Sequence, residues 1–337
     1  MLAGRGRPRP VLYEGNVFMK ISILERDSLG IDVDMSEIDK LGDVTVYPST
    51  TMENAMEHIG DADIIIANKL PLNAETLKEA ENLKLIAQTA TGTNNVDFTY
   101  TNAHGIKVAN VPSYSTDSVA QHTFSLLLYL VEKMRFFDDY VKNGTYSKSN
   151  CFSCLDMIYP EIAGKTWGII GMGAIGQKVA QIATVFGCKV ICYSASGRNY
   201  DMPYEQVDFD TLLANADILS VHAPLNEYTK NLMDYAAFSK MKTSAYFINV
   251  GRGPIVVEED LARALEEGQI RAAGLDVMRI EPLPIDSPLL KIQDSSKLII
   301  TPHTAWATSE ARQRCVDVVT ENIKAFLRGE EQNIVKG

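Results

Sequence analysis

Cationic side chains are in short supply in this 337-residue sequence: 32 Lys and Arg stand against 43 Asp and Glu, a formal net charge of −11. Nucleic acid and anionic membrane surfaces both reward clustered Lys and Arg, so neither is expected as a partner. No apolar run approaches the ~20 residues that cross a bilayer as a helix. Cysteine is scarce as well. The five, Cys151, Cys154, Cys188, Cys192 and Cys315, form no zinc-like quartet, and an odd count suits a reducing compartment, which points to the cytoplasm. Cys151-Phe152-Ser153-Cys154 is a CxxC with no second pair to complete a metal site. It reads as chance spacing in a loop, and no metal is expected.

What is present is an ordinary globular composition, 46% hydrophobic and 22% charged, in a chain too long for one core. Short apolar runs alternate with amphipathic segments. Residues 20–25, 44–48, 64–68, 85–89 and 107–111 read as strands with helical patterns between them, and a second series at 166–170, 189–194, 218–222, 245–250, 272–277 and 297–301 adds six more. Alternation of this kind implies α/β architecture with parallel sheets covered on both faces. One long helical pattern, residues 117–142, stands between the two series, and another, 309–328, follows them. Residues 1–18, with Arg5, Arg7 and Arg9 among Gly and Pro, read as a disordered extension dispensable for activity.

The second series begins with Gly171-Met172-Gly173-Ala174-Ile175-Gly176, placed between a strand and a helix. A glycine turn can join strand to helix for packing alone. In this context it also fits a dinucleotide: Gly171 for the tight turn, Gly173 for close approach of a pyrophosphate, Gly176 for strand and helix packing, with the helix N-terminus facing the anion.

Ligands of open α/β sheets bind beyond the carboxyl ends of strands, which selects Gly171, Ser194, His222, Arg252, Asp276 and His303. Arg252 lies between two glycines, where nothing local can pair with it. His303 directly follows a strand, and Glu281, past the neighbouring strand, can reach it. His222 reads as a wall of the cofactor cleft, while His58, His104 and His122 have no convergent partner in the sequence. An anion beside an imidazole favours its protonated form. A cation for a carboxylate, a His-Glu acid and a dinucleotide together describe hydride transfer to a 2-keto acid, with Arg252 anchoring and polarising substrate and His303 protonating the oxygen.

Those residues carry a resemblance. The glycine turn, Asn249-Val250-Gly251-Arg252-Gly253, Gly274-Leu275-Asp276-Val277 with Glu281-Pro282-Leu283, and Thr301-Pro302-His303 resemble the D-isomer-specific 2-hydroxyacid dehydrogenases from about Met19 to the C-terminus. The resemblance implies two doubly wound parallel-sheet domains: a flavodoxin-like substrate domain from residues 19–112 plus 306–337, and a Rossmann cofactor domain from 113–305. It also implies an active site in the cleft between them, a homodimer, and catalytic roles for Arg252, Glu281 and His303. Residue by residue it adds Thr91, Gly92 and Thr93 as backbone donors to the substrate carboxylate. Cofactor contacts fall on Gly171, Gly173, Ala174, Ile175, Gly176, Val119, His222, Ala223, Pro224, Val250 and Asp276.

One position departs from the NAD-specific pattern, which places an acid about 20 residues past the glycines to bind the adenosine ribose. Here Ser194 stands at that place, with Ser196 and Arg198 after it. NAD(P)H is therefore the expected cofactor, with NADPH used at least as well as NADH. The segments around His303 and at residues 114–122 are most similar to the hydroxypyruvate reductase (glycerate dehydrogenase) and glyoxylate reductase branch, and no cluster of cations marks a substrate phosphate. A D-lactate or branched 2-hydroxyacid dehydrogenase, and a nucleotide-sensing corepressor-like binding protein, stay open as alternatives.

Overall fold

A computed structural model describes residues 19–197 and 201–337; the expectations for residues 1–18 and for Arg198 lie outside the described residues. The chain divides into two compact units, one made of the described residues up to Ser115 with Ala307–Gly337, the other of Thr116–Trp306.

The first unit holds β1 (Lys20–Ile23), β2 (Asp43–Val46), β3 (Ile64–Ala67), β4 (Leu85–Gln88) and β5 (Lys107–Ala109). They form one parallel sheet in the order β2-β1-β3-β4-β5, the flavodoxin-like arrangement. Every residue of β3 and β4 is buried, because helices cover both faces of a parallel sheet. The last helix, Ser309–Leu327, starts at Thr308, whose hydroxyl accepts the Ala311 N–H at 3.3 Å. Arg312 fastens this helix to the beginning of the chain, reaching Asp32 Oδ2 and the Leu29 carbonyl at 2.8 Å each. Asn322 adds a 2.9 Å bond to the Asn110 carbonyl.

The second unit holds β6 (Thr166–Ile170), β7 (Lys189–Tyr193), β8 (Glu205–Gln206), β9 (Ile218–Val221), β10 (Tyr246–Asn249), β11 (Ala272–Leu275) and β12 (Leu298–Ile300). Their order is β12-β11-β10-β9-β6-β7-β8, so the progression reverses between β6 and β9 as in a Rossmann sheet. This sheet has seven strands where the sequence pattern suggests six. The additional one, β8, is two exposed polar residues on an edge, and no apolar run announces it.

The long helix expected over 117–142 is two helices, Thr116–Glu132 and Met134–Lys142, separated by Lys133 at φ +52°. Left-handed backbone costs a non-glycine residue about 1–2 kcal/mol. Lys133 is drawn inward at the break: it is 6% exposed, and its Nζ donates to the Ser296 carbonyl at 3.3 Å. The apolar spacing continues across the break, so periodicity alone does not mark it. The Thr116–Glu132 helix buries Val119, Phe124, Leu127 and Val131 against Trp167, Ile169 and the Ala174–Val185 helix. That packing fixes one face of the sheet behind the strand ends.

Candidate active site

The glycine turn leaves β6 at Gly171, whose φ of +93° suits glycine alone. A Cβ there would also lie 2.7 Å from the Ala223 backbone. At Gly176 it would lie 2.1 Å from the Gly171 carbonyl oxygen. Both glycines are thus demanded by the protein's own packing. Gly173 is different: its φ is −72°, and an added Cβ would meet no protein atom within 4 Å. It begins the twelve-residue Ala174–Val185 helix without a side-chain cap. Bare N–H groups of a helix N-terminus behind an open glycine fit an anionic pyrophosphate, with Ala174 and Ile175 in the first turn.

Further along the sheet edge, β7 is followed by Ser194, 5% exposed, with its hydroxyl 3.4 Å from that of Ser196. Past β9, the His222 N–H donates to the Ile170 carbonyl at 2.8 Å. Its ring Nε2 lies 2.9 Å from Ser220 Oγ, which accepts the Trp167 indole N–H at 2.9 Å. The other ring nitrogen, Nδ1, is buried and has no hydrogen-bond partner in the protein. Burial pushes the imidazole down to about 3, so His222 is neutral at physiological pH. Ala223 packs on Gly171, and the Pro224 carbonyl accepts the Thr229 hydroxyl at 2.7 Å.

The candidate catalytic residues follow the carboxyl ends of three neighbouring parallel strands, β10, β11 and β12. After β10, Asn249 ties down the turn: Oδ1 accepts the Gly251 N–H at 3.0 Å and Nδ2 donates to the Arg252 carbonyl at 3.1 Å. Val250, 7% exposed, is buried beneath it. The Arg252 guanidinium donates to the Gly251 carbonyl at 2.8 Å, and among the described residues no carboxylate pairs with it. Gly253 lets this turn lie against the next segment, since a Cβ there would fall 1.9 Å from the Met278 carbonyl oxygen. After β11, Glu281 Oε1 accepts the Met278 N–H at 2.9 Å and Oε2 lies 2.7 Å from His303 Nδ1. The imidazole is therefore held through Nδ1, which leaves Nε2 for chemistry. His303 itself has φ +55°.

Asp276 holds the segment on which His303 stands. Its carboxylate accepts the Thr301 hydroxyl at 2.7 Å and the N–H groups of Thr304 and Ala305 at 2.8 Å each. Its own carbonyl accepts the His303 N–H at 2.8 Å, and it is 1% exposed. His122 also belongs to this cluster, contrary to the expectation that it has no convergent partner: its Nε2 lies 2.9 Å from Thr301 Oγ1. No sequence signal reveals that contact, because 179 residues separate the two. His58 and His104 stay local, at Thr50 and the Tyr100 carbonyl. Val119 is a core residue at 5% exposure.

Thr91, Gly92 and Thr93 belong to the first unit and follow β4. The Thr91 hydroxyl donates to the Val111 carbonyl at 2.7 Å and Asn110 Nδ2 donates to the Thr91 carbonyl at 2.7 Å. The Val96 N–H closes on the Thr93 carbonyl at 3.0 Å. Among the described residues no cluster of His, Cys, Asp or Glu could hold a metal ion, and no helix is long and apolar enough to cross a membrane.

A family model for the NAD-binding domain of D-isomer-specific 2-hydroxyacid dehydrogenases matches residues 124–305. A hydroxypyruvate reductase from Blautia hydrogenotrophica is 37% identical over 324 residues, covering 94% of this chain and 99% of that relative. A glycerate dehydrogenase from Methylorubrum extorquens is 38% identical, again over 94% and 99%. Among solved structures, a D-lactate dehydrogenase from Aquifex aeolicus complexed with NAD and lactic acid superposes with a TM-score of 0.81 at 27% identity, covering 94% of this chain and 99% of that one. A Rossmann glycine turn, a histidine held by a carboxylate and an arginine with no carboxylate partner among the described residues share one sheet edge, and the matches run nearly end to end. The chain belongs to the D-isomer-specific 2-hydroxyacid dehydrogenases, nicotinamide-dependent oxidoreductases acting on CH–OH groups.

Proposed function

We propose that this enzyme reduces a small unphosphorylated 2-keto acid, hydroxypyruvate or glyoxylate, to the D-2-hydroxy acid. The observation that carries the reading is the 2.7 Å pairing of His303 Nδ1 with Glu281, on the sheet edge that also bears Arg252. Bound NAD(P)H supplies the hydride. His303 hands a proton from Nε2 to the carbonyl oxygen as the hydroxyl forms, and Glu281 keeps the ring oriented. Arg252 takes the substrate carboxylate and polarises the ketone with the N–H donors that its own backbone leaves unused. The substrate-binding role expected of the Thr91, Gly92 and Thr93 backbone is part of this proposal.

The cofactor is held by Gly171, Gly173, Ala174, Ile175 and Gly176 at its pyrophosphate, and by His222, Ala223 and Pro224 along the switch point. Val119, Val250 and Asp276, all nearly buried, complete these contacts. Ser194, in place of a carboxylate, removes the repulsion an acid would exert on a ribose phosphate, and the sequence supplies a cation, Arg198, four residues later. NADPH use at least equal to NADH use follows. The substrate domain comprises residues 19–112 and 306–337, the cofactor domain 113–305, and the enzyme works as a cytoplasmic homodimer.

A D-lactate or branched-chain activity is the second reading, supported by the similarity to the Aquifex aeolicus enzyme; a corepressor-like role is not favoured. Steady-state kcat/KM for glyoxylate, hydroxypyruvate, pyruvate and a branched 2-keto acid, each with NADH and NADPH, tests all of this. Hydroxypyruvate or glyoxylate should give the highest values. A clear preference for pyruvate sinks the substrate assignment, and a strong NADH preference sinks the cofactor assignment.

A further inference from the structure

His122 and Ser118 lie one turn apart on the Thr116–Glu132 helix, so both side chains project from the same face. Each grips an end of the five-residue segment that carries His303. Ser118 Oγ donates to the Ala305 carbonyl at 2.5 Å, and His122 Nε2 lies 2.9 Å from Thr301 Oγ1. The Thr301 hydroxyl has a single proton, and that proton goes to Asp276 Oδ1 at 2.7 Å. Toward His122 the hydroxyl can therefore only accept, so His122 Nε2 must carry the hydrogen. The result is a directed chain from His122 Nε2–H to Thr301 O–H to the Asp276 carboxylate, whose Oδ1 also lies 3.5 Å from His122 Nε2 and which in turn receives the N–H groups of Thr304 and Ala305.

This chain has a backbone to restrain. His303 sits at φ +55°, a conformation that a non-glycine residue keeps only where its surroundings impose it. Its own N–H is bound to the Asp276 carbonyl at 2.8 Å, and the bonds on either side run to the carboxylate of the same residue. We propose that His122 is a positioning residue: by fixing Thr301 against Asp276 it holds the left-handed backbone from which His303 meets Glu281 and the substrate. The inference rests on the catalytic reading of His303. It assigns His122 no contact with substrate or cofactor.

The test compares His122→Phe, which removes the donor, with His122→Gln, whose amide N–H can replace it, and adds Thr301→Val and the His122→Phe/Thr301→Val double variant. Amide hydrogen exchange at Thr304 and Ala305 is measured on the protein alone, then kcat, KM and cofactor affinity. His122→Phe should speed that exchange about tenfold and lower kcat about tenfold, with cofactor affinity and Tm near wild type. His122→Gln should recover to within about threefold, and the double variant should be no worse than the poorer single variant, because both changes break one chain. An active wild type with unaltered exchange in His122→Phe overturns the proposal. So does a His122→Gln variant as poor as His122→Phe, or losses that add in the double variant. A wild type inert toward every 2-keto acid would instead sink the functional reading on which the proposal stands.

Discussion

Glu281 is engaged at both carboxylate oxygens: Oε1 accepts the Met278 N–H at 2.9 Å, and Oε2 lies 2.7 Å from His303 Nδ1. The carboxylate is thus oriented by the Met278 backbone as well as by the imidazole it holds. General acid catalysis by a positioned side chain contributes about 10²–10⁴ in rate, and His303→Ala should lose a factor in that range from kcat while cofactor still binds. Glu281→Gln retains an acceptor but not the charge, and a smaller loss of about 10–100-fold is expected. Near-normal turnover in His303→Ala, measured under saturating cofactor, overturns the assignment.

Arg252 donates to the Gly251 carbonyl at 2.8 Å, and in the proposed function its remaining donors take the substrate. Arg252→Ala should lower kcat/KM by about 10²–10³, with kcat and KM both affected, as the proposed double role in binding and carbonyl polarisation requires. Arg252→Lys should recover little, because an ammonium cannot form the planar two-pronged contact. Full recovery by lysine would show that only the charge is needed.

The three glycines of the turn should separate experimentally. Gly171→Ala combines φ +93° with a 2.7 Å approach to the Ala223 backbone, and a destabilisation of about 2–4 kcal/mol is expected. Gly176→Ala meets a carbonyl oxygen at 2.1 Å and should also lower Tm. Gly173→Ala finds no protein atom within 4 Å, so its Tm should match wild type while cofactor KM rises about tenfold or more. A Gly173→Ala variant with unchanged cofactor KM argues against a pyrophosphate over this turn.

His222 carries a pH signature. Burial lowers its imidazole from 6.5 to about 3. Between those values the unfolded chain takes up a proton that the folded chain refuses, so stability falls as pH falls through that window. Replacing His222 with Gln removes the titration. The urea midpoint of the wild type should therefore fall further between pH 7 and pH 5 than that of His222→Gln, and parallel pH profiles would falsify the buried, neutral state.

Much of this protein was legible in its residues because the signals are local. The β3 run Ile64–Ala67 and the β6 run Thr166–Ile170 are apolar at nearly every position, as strands buried on both faces must be. Gly171 to Gly176 specify a turn through backbone and contact requirements that lie within six residues. Strand ends then selected Arg252, Glu281 and His303, because parallel strands deliver their following loops to one edge.

Other features were decided only when distant segments met. The break at Lys133 depends on the Ser296 carbonyl, 163 residues away, and the 2.7 Å contact of Glu281 with His303 on the register of β11 against β12. The place of His122 depends on how one helix packs behind a strand 179 residues later. Sequence periodicity determines which face of an element is buried; it does not encode which polar atom waits on the far side. The amino-acid order therefore determined two parallel α/β units, a dinucleotide turn and a short set of catalytic candidates, whereas tertiary packing decided which hydrogen bonds hold His303 in place.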